Sequence, residues 1–188
     1  MIERKPLKSN PEKGEFENHL DEVVPKWFAV YTRYKSEKVV QNLLGKKEIE
    51  NYLPLQRITR RYTRKIKTHN IPLISCYIFV KITKGEYVKV LETENVVNFL
   101  KFSKNLLSIP EEEIEILKRV VGDGEFEIEA EPGVFHEGDE VEIIGGKLTG
   151  IKGRLVEKQG KKQMVIELEN VGYSLRMNVD ISLLRKIV

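Results

Sequence analysis

The chain has 188 residues, a formal net charge of +3 and 40% hydrophobic residues, which is the composition of a globular protein with one or two domains. A single cysteine, Cys76, excludes an internal disulfide framework, and three scattered histidines leave no Cys/His zinc cluster. No apolar run approaches the roughly 18 residues of a membrane-spanning helix, and the first 23 residues lack the apolar core of a secretory signal. We therefore expect a cytoplasmic protein with no membrane partner.

Charge is distributed unevenly along the sequence. Residues 24–121 hold 19 basic and 10 acidic side chains, whereas residues 1–23 hold 4 and 6, and residues 122–188 hold 9 and 13. The net charges of the three segments are therefore −2, +9 and −4 in chain order. A middle segment this basic indicates contact with a polyanion, and the alternative is a solvated surface that happens to favour lysine.

The first predicted elements are an arm, a strand and a helix. Residues 1–23 show no sustained periodicity, so we interpret them as an extended or partly disordered arm. Residues 27–32 are aromatic and β-branched and are apolar on both faces, which predicts a central strand. Ser36 is a candidate N-cap for an amphipathic helix that ends near Lys47.

The next elements alternate between strands and helices. The basic run over residues 57–67 predicts the tip of a long hairpin, and residues 71–82 give the strongest strand pattern of the chain. A short helix is expected over 86–92 and a further strand over 96–102. Capping-box spacing and acidic residues in the first turn predict a helix over 111–121.

The C-terminal part of the sequence has a different pattern. Residues 122–133 are acidic and contain Pro and Gly, which is typical of a linker. In residues 134–188, apolar residues alternate with polar ones and glycine turns recur about every 12 residues, which predicts a small all-β barrel. The glycine cluster at 145–153 is not a phosphate loop, because Ile151 replaces the required Lys-Ser/Thr, so we assign these glycines to turns and close backbone contacts.

No catalytic constellation is visible in the sequence. Cys76 lies among apolar strand residues, which is typical of a buried and inert thiol. The acidic residues 111–113 are explained by the helix dipole rather than by acid/base chemistry. We therefore expect a protein that is not an enzyme and that uses no cofactor or metal.

The basic hairpin is the strongest functional pattern. It interleaves six cations with Tyr62 and several hydroxyl groups, which suits phosphate contacts with an aromatic ring available for base stacking. The alternative is a hairpin that is kept soluble and unpaired by charges along its edge. The candidate nucleic-acid-binding residues within this hairpin are Arg60, Arg61, Arg64, Lys65 and Lys67.

Taken together, several motifs resemble the NusG family of transcription elongation factors, with specialised paralogues of the RfaH and UpxY type as the most similar members. The order and spacing match over roughly residues 26–188. The motifs are Trp27-Phe28-Ala29-Val30-Tyr31, the basic hairpin, Pro72-Leu73-Ile74-Ser75-Cys76-Tyr77, Gly138-Asp139-x-Val141-x-Ile143 and Gly146-Lys147-Leu148-x-Gly150-x-x-Gly153. One departure is that Ile74-Ser75-Cys76 replaces the Phe-Pro-Gly of the usual family pattern.

The resemblance implies an α+β protein with two domains. The first, over residues 24–121, would be a NusG-type α/β sandwich with an antiparallel sheet and helices. The second, over residues 134–188, would be a five-stranded SH3-like β-barrel of the KOW type. In RfaH this module can instead fold as a helical hairpin, but the period-2 alternation here predicts β-structure over 138–187.

The resemblance also implies partners and the residues that contact them. An apolar patch of Tyr31, Ile74, Ser75 and Tyr77 would bind the clamp helices of RNA polymerase. Arg33, Lys35 and the hairpin cations would face non-template DNA or nascent RNA. Leu148 would contact a second partner, a ribosomal protein or Rho, and the alternative is that Leu148 caps the barrel core.

We therefore predict a monomeric transcription elongation or antitermination factor that suppresses pausing or termination. The alternative is an RNA-binding KOW protein of ribosomal or RNA-processing type, in which the barrel and the hairpin grip RNA directly. The acidic C-terminal segment counts against this alternative, because barrels that grip RNA are usually basic.

Overall fold

The computed structural model describes residues 16–62, 65–123, 128–133, 138–158 and 161–187. Strands and helices are numbered in chain order. The described residues form antiparallel sheets with few helices, which confirms the mixed helix and strand content of the predicted α+β fold. Among these residues, no helix has the length and apolar character needed to cross a membrane.

The first sheet has four antiparallel strands in the order β2-β5-β1-β6. These strands are β1 (Lys26–Thr32), β2 (Glu50–Tyr52), β5 (Tyr77–Ile82) and β6 (Val96–Phe99). Because β1 lies between β5 and β6 and is apolar on both faces, each of its faces is covered by other elements. The strand predicted over 27–32 is therefore confirmed as a central strand.

Three helices cover the two faces of this sheet. They are α1 (Glu37–Lys46), α2 (Tyr87–Leu91) with a preceding 3-10 turn (Lys84–Glu86), and α3 (Glu111–Asp123). Phe28 and Val30 lie in one buried cluster with apolar residues of α1 and α2. Trp27 and Ala29 lie in a second cluster with apolar residues of α3. This alternation follows from the two-residue period of a strand.

The predicted long hairpin forms a separate two-stranded sheet. It consists of β3 (Leu55–Tyr62) and β4 (Lys65–Pro72), paired in register from Leu55–Pro72 to Tyr62–Lys65. The single strand expected over 71–82 is wrong, because a turn at 73–76 separates β4 from β5. Pro72 offers no backbone N–H to a ladder, and Cys76 has a left-handed φ of 65°.

The C-terminal sheet has six antiparallel strands in the order β12-β8-β9-β10-β11-β7. They are β7 (Ile128–Pro132), β8 (Asp139–Ile143), β9 (Lys152–Lys158), β10 (Lys161–Leu168), β11 (Tyr173–Met177) and β12 (Leu184–Lys186). Within the described residues no pairing joins β12 to β7, so the sheet is not closed by a ladder. A 3-10 turn (Ile181–Leu183) precedes β12.

The C-terminal sheet has one strand more than the predicted barrel. The strand β7 lies inside the predicted linker 122–133 and adds a sixth strand to the expected five, because Ile128 and Ala130 pair with Met177 and Leu175 of β11. The β-structure predicted over 138–187 is confirmed in the described part of that range.

The glycines of the 145–153 cluster serve the backbone, as predicted. Gly146 and Gly150 have φ values of 77° and 87°, which favour glycine because side chains with a Cβ are strained there. A Cβ added at Gly153 would overlap the carbonyl oxygen of Val165 on the neighbouring strand. These glycines therefore shape turns and close strand contacts.

One buried cluster joins the two sheets. It contains Trp27 and Phe79 of the first sheet, apolar residues of α3, and Leu148, Val171 and Leu175 of the C-terminal part. The C-terminal sheet therefore packs on the first sheet together with α3, and the two parts share one core.

Candidate protein-binding face and basic hairpin

The candidate protein-binding face consists of Tyr31, Ile74, Ser75 and Tyr77. Tyr31 near the end of β1 and Tyr77 at the start of β5 are paired directly across the sheet. Their ring centroids are 4.4 Å apart, and the Tyr77 hydroxyl donates a hydrogen bond to the Tyr31 hydroxyl. The strand register thus brings together residues that are distant in sequence.

The C-terminal sheet covers this face. The ring of Tyr173 in β11 packs edge-on against Tyr77, with centroids 5.5 Å apart. Burial, reinforced by the hydrogen bond with Tyr31, raises the pKa of Tyr77, and burial also raises the pKa of Tyr173. The hydroxyls of Tyr77 and Tyr173 therefore stay neutral at physiological pH, as the packing of uncharged rings requires.

Exposure shows which face residues remain accessible. Ile74 is 1% exposed and Tyr77 is 5% exposed, while Tyr31 is half-buried. Ser75 is exposed. In this arrangement the apolar part of the candidate protein-binding face is therefore sealed inside the molecule, which differs from the open patch that the sequence analysis expected.

Helix α3 forms the polar part of the interface between the first sheet and the C-terminal sheet, which we call the domain interface. Glu113 Oε1 accepts hydrogen bonds from the Asn170 backbone N–H at 3.2 Å and from Asn170 Nδ2 at 2.7 Å. Arg119 Nη2 donates to the carbonyl oxygens of Lys147 at 3.0 Å and Thr149 at 2.8 Å. Burial raises the pKa of Glu113, although its bonds with Asn170 act in the opposite direction.

Leu148 lies in the turn that Arg119 holds. It is 2% exposed and belongs to the buried cluster shared by the two parts of the chain. As an exposed partner contact, Leu148 is therefore not available in this arrangement. The alternative considered for this residue, that it covers the apolar core, agrees with its burial.

A buried carboxylate that the sequence analysis missed holds the turn at Ser75 and Cys76. Glu37, the first residue of α1, is 4% exposed, and its Oε1 accepts a hydrogen bond from the Cys76 backbone N–H at 2.8 Å. Thr32 donates its N–H to the Cys76 carbonyl oxygen at 2.9 Å. The only sequence signal was an acidic residue directly after the N-cap Ser36, which is common at helix starts.

Cys76 is the single cysteine of the chain, and it is half-buried. Burial raises the pKa of the Cys76 thiol, so the reactive thiolate is disfavoured at neutral pH. In the described ranges no three His, Cys, Asp or Glu side chains converge as metal ligands.

The basic hairpin, β3 with β4, extends into solvent. Lys65 and Lys67 are exposed, and no carboxylate of the described residues lies within ion-pair distance of either. The side chains of Arg60 and Arg61 and all of Arg64 lie outside the described residues. The described lysines are therefore free to contact an anion.

Arg33 and Lys35 lie at the same end of the first sheet as the hairpin. Both are exposed and follow β1 directly. Lys38 in α1 donates from Nζ to the Asn70 carbonyl oxygen of β4 at 2.5 Å, which ties the helix to the hairpin. We call the loop that carries Arg33 and Lys35, together with the hairpin, the basic surface.

The hairpin base also contacts the C-terminal sheet. Gln56 in β3 donates from Nε2 to the carbonyl oxygen of Ile128, the first residue of β7, at 3.1 Å. The candidate protein-binding face and the basic surface are therefore adjacent, and the same C-terminal sheet contacts both.

Comparison with protein-family models identifies one family. The family model described as transcription termination factor nusG matches residues 25–118, which is half of the chain. A solved structure showing domain interaction in Thermotoga maritima NusG is similar at 20% identity and a TM-score of 0.55, over 87% of this chain and 98% of that one, which supports the fold.

Two further solved structures are less similar. The MjSpt4:Spt5 complex in conformation A has 20% identity and a TM-score of 0.30 over 86% of this chain and 97% of that one. Conformation B has 21% identity and the same TM-score over 86% and 96%. These TM-scores are too low to indicate a shared overall arrangement. A search of curated proteins found no match to the chain.

Proposed function

Because the chain belongs to the NusG family of transcription factors, we propose that it is a transcription elongation factor that binds RNA polymerase and suppresses pausing or termination without catalysing a reaction. The observation that carries this proposal is the family match over residues 25–118. That range includes both the candidate protein-binding face and the basic hairpin.

The two surfaces take different roles in the proposal. The tyrosines and Ile74 of the face bind the clamp helices of the polymerase through apolar contact, and Ser75 lies at its accessible rim. The cations of the basic surface contact non-template DNA or nascent RNA. A free-energy change of about 1.4 kcal/mol in favour of a closed clamp would change the clamp's open-to-closed ratio tenfold, so binding alone is sufficient.

Polymerase binding then requires the domain interface to open. Tyr173 occupies the position over Tyr77 where a polymerase helix would have to pack. The apparent affinity for polymerase is reduced by the fraction of molecules that are open. The closed arrangement thus limits binding until the C-terminal sheet is displaced.

We assign the C-terminal domain to the SH3-like barrel of the KOW type. Its alternating strands and its turn glycines at 146 and 150 support this assignment. Released from the first domain, its Leu148 turn would be exposed and could contact a ribosomal protein or Rho. Antitermination, in which such a partner is recruited during elongation, is the specialised form of the proposed activity.

Binding to purified RNA polymerase tests the role of the face. Tyr173→Asp is expected to open the interface and to strengthen binding about tenfold or more, because a charge opposite the buried Tyr77 ring disfavours closure. Adding Tyr31→Ala to that variant should remove the gain. Val97→Ala, at an exposed position on β6 of the same sheet, is the matched control and should change nothing.

Two results would contradict the proposal. One is equal polymerase binding by the Tyr173→Asp variant with and without Tyr31→Ala, which would place the contact elsewhere. The other is binding of the parent and the open variant to naked RNA only, which would favour the RNA-binding alternative. An in vitro transcription assay on a template with a defined pause should show shorter pauses with the open variant than with the parent.

A further inference from the structure

An open cleft of about 470 Å³ lies at the end of the first sheet opposite the basic hairpin. Its walls are the segment 16–20, the helix α2 and the turn at 101–104. The register of β1 and β5 separates the two ends, because Lys26 pairs with Ile82 near the cleft and Tyr31 pairs with Tyr77 near the hairpin. The two sites are therefore about 20 Å apart.

The cleft combines an exposed aromatic ring with an apolar floor. Phe16 is 60% exposed and Val88 in α2 is 56% exposed, although both are apolar. Leu20 and Leu106 extend the apolar lining inward. An accessible ring of this kind beside an apolar floor can receive a flat apolar group.

Three lysines, Lys84, Lys101 and Lys104, line the cleft. Lys104 places its Nζ 5.3 Å from the Phe16 ring centroid. Lys101 is exposed and has no ion-pair partner among the described residues. Lys84 pairs with Glu22 at 2.5 Å, but both side chains are largely exposed, so the pair can exchange for another anion.

The backbone fixes the two walls against each other. Ser103 and Lys104 have φ values of 48° and 79° in a tight turn that Phe102 and Asn105 close with reciprocal backbone hydrogen bonds. Such left-handed non-glycine residues cost free energy, and they persist only where the surroundings hold them. Leu106 donates its N–H to the Glu17 carbonyl oxygen at 2.9 Å, which anchors the segment that carries Phe16.

We propose that this cleft binds single-stranded nucleic acid, with one base stacked on Phe16 and its flanking phosphates contacted by Lys101 and Lys104. A ring with mobile ammonium groups beside it accepts any base and does not require fixed hydrogen-bond geometry. An acidic peptide would instead need a longer apolar groove or a free strand edge for its backbone. The cleft offers one exposed ring, so the observations favour the nucleic acid.

Fluorescence anisotropy with labelled dT and U dodecamers on the full chain tests this proposal. Phe16→Ala should weaken binding about tenfold and leave the salt dependence unchanged, because stacking releases no counterions. Lys101→Gln with Lys104→Gln should lower the steepness of log K against log salt by about 1.4, since each phosphate contact on a single strand contributes about 0.7. Thermal unfolding would verify that each variant is folded.

Matched controls separate the cleft from general charge and from the hairpin. Lys46→Gln with Lys152→Gln removes two exposed lysines elsewhere, and Ile181→Ala removes an exposed apolar side chain. The Ile181→Ala variant should not weaken binding as Phe16→Ala does, and the control lysine variant should not lower the salt dependence as Lys101→Gln with Lys104→Gln does. In a Lys65→Gln, Lys67→Gln background the cleft variants should still reduce the remaining affinity.

Unchanged oligonucleotide affinity and salt dependence in the folded cleft variants would overturn the proposal. So would a loss of binding to a labelled acidic peptide without any loss for the oligonucleotides, because the cleft would then be a peptide site. Neither result depends on RNA polymerase, so the test is separate from that of the proposed function.

Discussion

The candidate protein-binding face and the basic hairpin lie at the same end of the first sheet, yet one is sealed and the other is open. Tyr77 is 5% exposed beneath Tyr173, whereas Lys65 and Lys67 project into solvent. Apolar rings gain about 25 cal/mol for each Å² removed from water, whereas unpaired ammonium groups lose by burial. The chain therefore covers the surface that is costly to expose and leaves the charged one free.

This difference has a functional meaning under the proposed role. The nucleic-acid surface is ready in the closed arrangement, whereas the polymerase surface becomes available only when the C-terminal sheet moves away. Opening costs the contacts of Tyr173, Glu113 and Arg119. In the absence of partners, the nucleic-acid surface is therefore accessible, whereas the polymerase surface is accessible only in the open fraction of molecules.

Tyr173→Asp should break the contrast most strongly. A carboxylate introduced at the domain interface is expected to destabilise the closed arrangement by about 3 kcal/mol, so that both surfaces become open. Small-angle scattering should show a larger radius of gyration, and backbone relaxation should show two independently tumbling parts. Tyr173→Phe keeps the ring and should remain closed, and an unchanged radius for the Asp variant would contradict the interface.

Reversing the hairpin charges should affect the open surface alone. Lys65→Glu with Lys67→Glu is expected to weaken single-stranded DNA binding by about tenfold or more through lost and repelled phosphates. The free energy of unfolding should change by less than about 0.5 kcal/mol, because both side chains are exposed. Anisotropy and urea unfolding measure the two quantities. A large loss of stability would show that the hairpin supports the fold.

Cys76→Gly, in the turn beside the candidate protein-binding face, should raise the free energy of unfolding by about 1 kcal/mol. Cys76 holds a φ of 65°, which glycine adopts without the steric cost that a Cβ brings. Urea unfolding should report the gain. Cys76→Ala is the matched control, because it removes the thiol but keeps the Cβ, and it should show no gain. Equal behaviour of both variants would indicate that the turn is not strained.

The smallest expected effect is a pH dependence of closure through Glu113. Burial raises its pKa in the closed arrangement above the ordinary value of 4.5, so protonation favours closure. Closure should be strongest below pH 4.5 and weaken as pH rises through the raised pKa. Nuclear magnetic resonance shifts of Tyr173 would report the equilibrium. Glu113→Gln should remove this pH dependence. If the closed fraction of the parent protein did not change as pH rises above 4.5, the prediction would be wrong.

The periodicity of hydrophobic residues predicted many of the strands and helices. It did not predict how the C-terminal sheet packs on the first sheet. The central strand β1, the hairpin and the β-rich C-terminal part follow from local alternation and turn glycines. β1 was visibly apolar on both faces, but the pattern cannot tell which element covers each face. The docking of Tyr173 on Tyr77 joins residues 96 positions apart, so no local spacing contains it.

Strand β7 and the turn at 73–76 were not predicted either, and each has a physical reason. In β7 the buried Ile128 alternates with acidic residues in a segment whose composition is typical of a linker. The break at 73–76 depends on Glu37, whose carboxylate holds a turn that the apolar side chains around it conceal. Cys76 itself has a left-handed φ of 65°, a conformation that glycine adopts easily and that the apolar pattern around it does not indicate.

The shared core has a consequence for how the sequence of this protein can evolve. Under the proposed function, Tyr31 and Tyr77 must fit two different occupants, the chain's own β11 and a helix of the transcription machinery. In the closed arrangement the C-terminal sheet therefore occupies the place that the proposal gives to that helix. Each substitution in the tyrosine pair is then selected twice, once for self-recognition and once for recognition of another molecule.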